Sequence, residues 1–187
     1  MSLIAPSVPA RNRSRLGADS LAEIANALLA ARQIWQGTAR FDPDIRQPVR
    51  LLADETFEAW VIGWFSGQGI GLHDHGDSAA AIVVAEGRLH ETTLDPEPGR
   101  AHRRPHGPAV HPLDRGVVRR IPPNTVHGVA NIDARPATSI HVYSPPLDRM
   151  THFDPTGARA LETVAVAPET PVLPTAVAKL VRIGRRI

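Results

Sequence analysis

The chain contains no cysteine. Disulfides, thiolate zinc sites and cysteine nucleophiles are thereby excluded together, and any metal must be held by His, Asp or Glu. Aromatic residues make up only 4% of the chain, and Tyr143 is its single tyrosine. Lysine is almost absent, with Lys179 alone, and the formal net charge is only +2. Nucleic-acid binding calls for a basic stripe with stacking rings. Neither is found, so no nucleic-acid partner is expected. No apolar run approaches the ~20 residues that span a bilayer, so no membrane partner is expected either. Met1 to Leu16 carries Arg11, Arg13 and Arg15 and lacks the uninterrupted apolar stretch of a signal peptide. A cytoplasmic location is the expectation.

What is present suits an ordinary globular protein: 187 residues, 42% hydrophobic and 21% charged, enough to bury a core without staples. Residues 1–17, rich in Pro, Ser and Arg, read as a lead-in. Residues 18–162 read as the domain and 163–187 as a proline-rich tail, with a short amphipathic piece from Ala176 to Ile183 ahead of Arg185-Arg186. A monomer or weak homo-oligomer is expected.

Ser20 with Glu23 three residues on forms a capping-box pattern. Leu21, Ile24, Leu28, Ala31 and Trp35 then recur at helical spacing before Gly37, predicting a helix that buries one face. After Asp42-Pro43 the texture changes to short runs rich in β-branched and aromatic residues: Phe57 to Phe65, Ala80 to Ala85, Arg88 to Leu94, Gly116 to Ile121, Val126 to Ala130 and Ala137 to Tyr143. Many short strands at close spacing predict an all-β sandwich or barrel. Glu86-Gly87 reads as a turn between two of them. Asp95 to Asp114, with five prolines and with His102, His106 and His111, reads as a long connection whose histidines are solvated.

Within Gly67 to His75, the pair His73 and His75 flanks Asp74. On an extended segment positions i and i+2 share a face, which is a chelating geometry. Alone, such a pair can equally be surface or core histidines. A second stretch, Gly116 to Asn131, changes its meaning. Gly116, Pro122, His127 and Asn131 reproduce the spacing of the second cupin motif, with Asn124 in place of its glycine, and Gly67, His73, His75 and Gly87 reproduce the first. Asn tolerates the left-handed conformation better than other non-glycine residues. The chain thus resembles the cupin superfamily, which implies an all-β, cupin-type small barrel with the N-terminal helix packed outside.

Where the motif's glutamate ligand would fall, the chain has Ala79 and Ala80, and Asp77 follows His75 too closely to replace it. Three neutral imidazoles without a carboxylate leave the charge of a metal uncompensated, which favours an anionic ligand such as a thiolate. Within cupins this departure resembles the cysteine dioxygenase family of thiol dioxygenases, in its bacterial form. The resemblance runs from Arg46 to Gly157. It rests on Trp64, His73-Asp74-His75, Gly87 with Glu91, His127 with Asn131, and the run Ser139 to Pro146. Independently of it, Ser139, His141 and Tyr143 at i, i+2 and i+4 of a strand share one face.

The resemblance implies Fe(II) on His73, His75 and His127. It implies a small thiol and O2 as substrates, with L-cysteine converted to cysteine sulfinate, and Tyr143 as a catalytic hydroxyl backed by His141 and Ser139. It places a carboxylate-binding arginine at Arg50, or a glutamine at Gln47 if the chain is counted without a gap, with Pro48 where a tyrosine is usual. Ala80 falls where animal members carry the cysteine that crosslinks to the tyrosine, so Tyr143 is an unmodified phenol. Other readings are 3-mercaptopropionate or another small thiol as substrate, zinc as the metal, and a non-catalytic cupin that binds a metal or small ligand.

Overall fold

The computed structural model describes residues 15–94, 108–167 and 169–182. His102 and His106, the lead-in before Arg15 and the final Arg185-Arg186 lie outside the described residues.

Helix α1 (Ala18–Ala30) is followed, after a break at Ala31, by the single turn α2 (Arg32–Trp35). The expected apolar stripe is the buried one: Leu21, Ile24, Leu28, Ala31 and Trp35 all lie in the core. The expected capping box does not form. Gly17 is the N-cap and its carbonyl accepts the amide of Leu21, which places Ser20 and Glu23 inside the helix.

The strands are β1 (Val49–Ala53), β2 (Glu58–Trp64), β3 (Gly69–Asp74), β4 (Ala79–Glu86), β5 (Arg88–Thr93), β6 (Ala109–Asp114), β7 (Val118–Ile121), β8 (His127–Ala130), β9 (Ala137–Ser144), β10 (Arg149–Phe153) and β11 (Ala160–Ala165). They form a five-stranded sheet in the order β1-β2-β9-β4-β7 and a six-stranded sheet in the order β11-β10-β3-β8-β5-β6. This is the cupin barrel that the sequence predicts, with α1 packed on the outside against β4, β9 and β7.

The five-stranded sheet is covered on both faces, so β2, β4 and β9 read as nearly continuous buried runs. Strand alternation sorts their residues. Ala81, Val83, Ile140 and Val142 turn outward to meet Leu21, Leu28 and Trp35. Trp60, Ile62, Trp64, Ala80, Ile82, Val84 and Tyr143 turn inward and meet Leu89, Leu113 and Val129 from the opposite sheet. The β4–β5 turn relies on Gly87 at φ 73°, where a Cβ would come within 2.7 Å of the Pro136 carbonyl.

Two stretches differ from the sequence reading. The end of the expected 95–114 connection is strand β6, which carries His111 and Pro112. As the last strand of its sheet it tolerates a residue without an amide hydrogen. Beyond Tyr143, where the predicted runs end, two more strands follow: β10 pairs with β3, and β11 pairs with β10. Helix α3 (Thr175–Arg182) then returns to the core through Ala178 and Val181. No helix among the described residues is long and apolar enough to cross a membrane.

Candidate active site

His73 lies on β3 opposite His127 on β8, and His75 follows two residues later on the same face. Their ligating nitrogens all lie within 4.8 Å of one another, and all three side chains are buried. The three histidines singled out in the sequence are therefore brought together, with no carboxylate among them.

The hydrogen bonds behind His73 and His127 fix which of their nitrogens face inward, whereas His75 Nδ1 has no partner. His73 Nδ1 lies 2.8 Å from the Gly71 carbonyl, which can only accept, so Nδ1 carries the proton and Nε2 presents a lone pair. His127 Nδ1 likewise donates to Glu91 Oε1 at 3.0 Å, which leaves its buried Nε2 without a partner. His73 Nε2 lies 3.1 Å from His75 Nε2. Burial and the neighbouring histidines hold His73 down to about 3, and His75 well below its ordinary range. The Nε2 atoms of His73 and His127 converge beside the His75 ring, as ligands of one cation do. The donor set fits a divalent metal with open positions.

Glu91, on β5, is itself fully buried. Arg119 Nε lies 2.5 Å from its second oxygen, an ion pair rather than an aligned hydrogen bond. Asn131 knits the site from behind by donating to the carbonyls of Trp64 and Arg135. Asn124 takes φ 57° and donates its amide to the Gly76 carbonyl, joining the turn before β8 to the turn after β3.

On β9, Ser139, His141 and Tyr143 form a chain. Trp64 Nε1–H donates to Ser139 Oγ at 2.9 Å, Ser139 Oγ lies 2.8 Å from His141 Nε2, and His141 Nδ1 lies 3.1 Å from the Tyr143 hydroxyl. Indole only donates, so Ser139 Oγ accepts from Trp64 and keeps its own proton available for His141 Nε2. With His141 protonated on Nδ1, that ring donates to the Tyr143 oxygen and the phenolic proton is left for the cavity. Tyr143 packs edge-on against His75 at 4.9 Å between ring centroids. Burial and the nearby Glu58 raise its pKa, so it stays a neutral donor, and burial also keeps His141 neutral. Ala80 is the register partner of Tyr143 on β4.

A cavity of about 240 Å³ opens on these groups, walled by Trp60, Ile62, Ile70, Ile82, Val129, Leu147, Met150, Val166 and Ala167. Neither Arg50 nor Gln47 lines it. Arg50 is engaged at 2.7 Å by buried Glu58 and at 2.6 Å by the Glu169 carbonyl, and Gln47 donates to Asp42. The arginine on the cavity wall is Arg46, with its guanidinium carbon 4.8 Å from the Trp64 ring centroid. The sequence reading missed it, along with Glu91 as a partner of His127 and His152 on β10 as the register partner of His73 on β3. Only Glu91 had a signal, since it lies within the family pattern.

Fold and site together define a metal-binding cupin with a three-histidine centre. The family Cysteine dioxygenase type I matches residues 10–156, and the chain belongs to that family. It is 33% identical over 130 residues to cysteine dioxygenase type 1 of Danio rerio, covering 65% of this chain and 62% of that protein. It is 30% identical over 125 residues to the Rattus norvegicus protein of the same name, covering 64% and 61%. The chain thus spans somewhat less than two thirds of the relatives it matches. A solved structure from Thermus thermophilus superposes with a TM-score of 0.50 at 21% identity, over 59% of this chain and 93% of that one, and shares the fold.

Proposed function

We propose that this protein is an iron(II)-dependent thiol dioxygenase, with L-cysteine as substrate and cysteine sulfinate as product. One arrangement carries the reading: three imidazoles converge without a carboxylate among them, and a phenol in its own hydrogen-bond chain stands beside them. Ferrous iron held by His73, His75 and His127 would supply a Lewis-acidic position for a thiolate and the redox chemistry that activates dioxygen. Thiol and O2 combine to a sulfinic acid with no atom or electron left over, so no reductant site is called for.

The protein's own groups do the rest. The phenolic proton of Tyr143 is offered to the cavity and orients the sulfur or the oxygen being transferred. With His141 protonated on Nδ1, His141 and Ser139 keep that proton pointing inward, and Trp64 is the donor at the far end of the chain. Glu91 holds the His127 ring so that Nε2 faces the centre. The aliphatic wall excludes bulk water, which strengthens every polar contact inside.

Arg50 is held by Glu58 and Gln47 by Asp42, so neither residue selects between L-cysteine and 3-mercaptopropionate, which stands as the second substrate reading. Loading the protein with Fe(II) under anaerobic conditions and adding thiol and isotopically labelled O2 tests both. A sulfinate carrying two labelled oxygens supports the reading. Metal binding without thiol-dependent oxygen uptake would leave a binding cupin.

A further inference from the structure

We propose that His152 and Glu162 form an entry site for the divalent metal, which takes the ion from solvent and hands it to His73 and the three-histidine centre. The proposal rests on that centre holding a metal and asks nothing of the substrate.

The site follows from strand register. Side chains of residues paired across neighbouring strands point to the same face of the sheet. His127 on β8 pairs with His73 on β3, His73 with His152 on β10, and His152 with Glu162 on β11. These strands are consecutive in the six-stranded sheet. One row of three imidazoles and a carboxylate therefore crosses it, each step spanning about 4.8 Å between strands. The rings agree with the row: the His73 centroid lies 4.7 Å from that of His127 and 6.1 Å from that of His152. Exposure rises in the same order. His127 and His73 are buried, His152 is half-buried and Glu162 is exposed.

Both outer members are free to act as ligands. Neither side chain forms a hydrogen bond or an ion pair among the described residues. On the opposite face of the hairpin, Thr151 Oγ1 lies 3.1 Å from Thr163 Oγ1, which holds β10 and β11 in the register that sets His152 beside Glu162. A charge on an edge strand also guards it against pairing with another chain. That purpose does not call for a histidine in register with a metal ligand.

The substrate cavity is a poor route for the same ion. Its wall is largely aliphatic, and the arginine on it, Arg46, is a cation. A dication crossing it would lose hydration without replacement and meet a like charge. The row instead offers an oxygen or nitrogen donor at every step. A carboxylate attracts a hydrated dication from solvent, and imidazole takes over as water is shed. Two donors alone bind weakly, as suits a site that must release what it captures. At His73 only one lone pair is open. Its Nδ1 donates to the Gly71 carbonyl, so an ion can be received only at Nε2, which lies 3.1 Å from His75 Nε2 and belongs to the centre.

The test follows metal transfer in the full chain. Co(II) mixed with the metal-free protein reports capture by the three histidines through its visible absorption. Glu162→Lys and His152→Phe should each slow capture about 10-fold, and Glu162→Asp should restore most of the native rate. Release into excess chelator should slow by the same factor, because an entry site lowers the barrier in both directions and leaves equilibrium affinity unchanged. Capture and release at native rates in both variants would overturn the proposal. So would a loss of affinity in His152→Phe with capture at the native rate, which would make His152 part of the centre itself. Native protein that captures no Co(II) would remove the metal centre and the entry site together. Because the readout is metal transfer, it decides the entry site whether or not the protein oxidises a thiol.

Discussion

Glu91 Oε1 accepts the Nδ1 proton of His127 at 3.0 Å, so a carboxylate stands one imidazole away from the centre that the three histidines form. The charge that Ala79 and Ala80 withhold is partly returned through a ligand ring, because a carboxylate behind a histidine raises its basicity and fixes its tautomer. Glu91→Gln keeps an acceptor but removes the charge. Metal affinity should fall about 10-fold to 100-fold, measured by competition with a chelator, while the fold is retained. Glu91→Ala would leave buried donors unsatisfied and should also cost about 1–3 kcal/mol of stability, read from urea unfolding of the metal-free protein.

Tyr143→Phe removes the one hydroxyl that the β9 chain presents to the cavity. The rate of thiol-dependent oxygen consumption should fall about 10-fold to 100-fold with metal content unchanged. Trp64→Phe should act in the same direction through Ser139, because without the indole donor Ser139 Oγ loses the partner that holds it against His141. The two effects should add to much less than their sum, since both act through one network. Additive losses would show that Trp64 serves only packing.

Acid should destabilise the metal-free protein through its buried histidines. The folded-state pKa of His73 falls from 6.5 to about 3, and those of His75 and His141 fall well below their ordinary range. As pH drops below 6.5 the unfolded chain takes up protons that the folded chain refuses. Each such histidine then removes up to about 1.4 kcal/mol of stability per pH unit. Urea midpoints should be level above that pH and decline steadily below it. A midpoint independent of pH between neutrality and mild acid would contradict the buried neutral state.

Gly87→Ala places a Cβ at φ 73° against the Pro136 carbonyl and Ala137. A loss of about 1–2 kcal/mol is expected from the left-handed conformation alone, with more from the clash. Thermal unfolding measures it.

Much of this architecture is legible in the sequence because burial on a strand has a period of two. Ser139, His141 and Tyr143 on one face of β9, with Ile140 and Val142 on the other, follow from that rule alone. His127 could be joined to His73 and His75 only through motif spacing, since the pairing of β3 with β8 is non-local. Strands β10 and β11 escaped because β10 is only half-buried and β11 is exposed along its whole length, which leaves no apolar alternation to read. Arg46 escaped for a different reason. Its place on the cavity wall depends on how the 40–48 loop seats on Gly63 and folds around Asp42, and nothing in the spacing of Arg46 and Arg50 encodes which of them Glu58 will neutralise.

The most direct test is product analysis after the iron-loaded protein meets a small thiol and labelled dioxygen in a single vessel. The arrangement of His73, His75, His127 and Tyr143 predicts a sulfinate in which both oxygens derive from O2, formed one for each O2 consumed. Disulfide as the sole product, or no thiol-dependent consumption of O2 by protein with a full complement of iron, would contradict it.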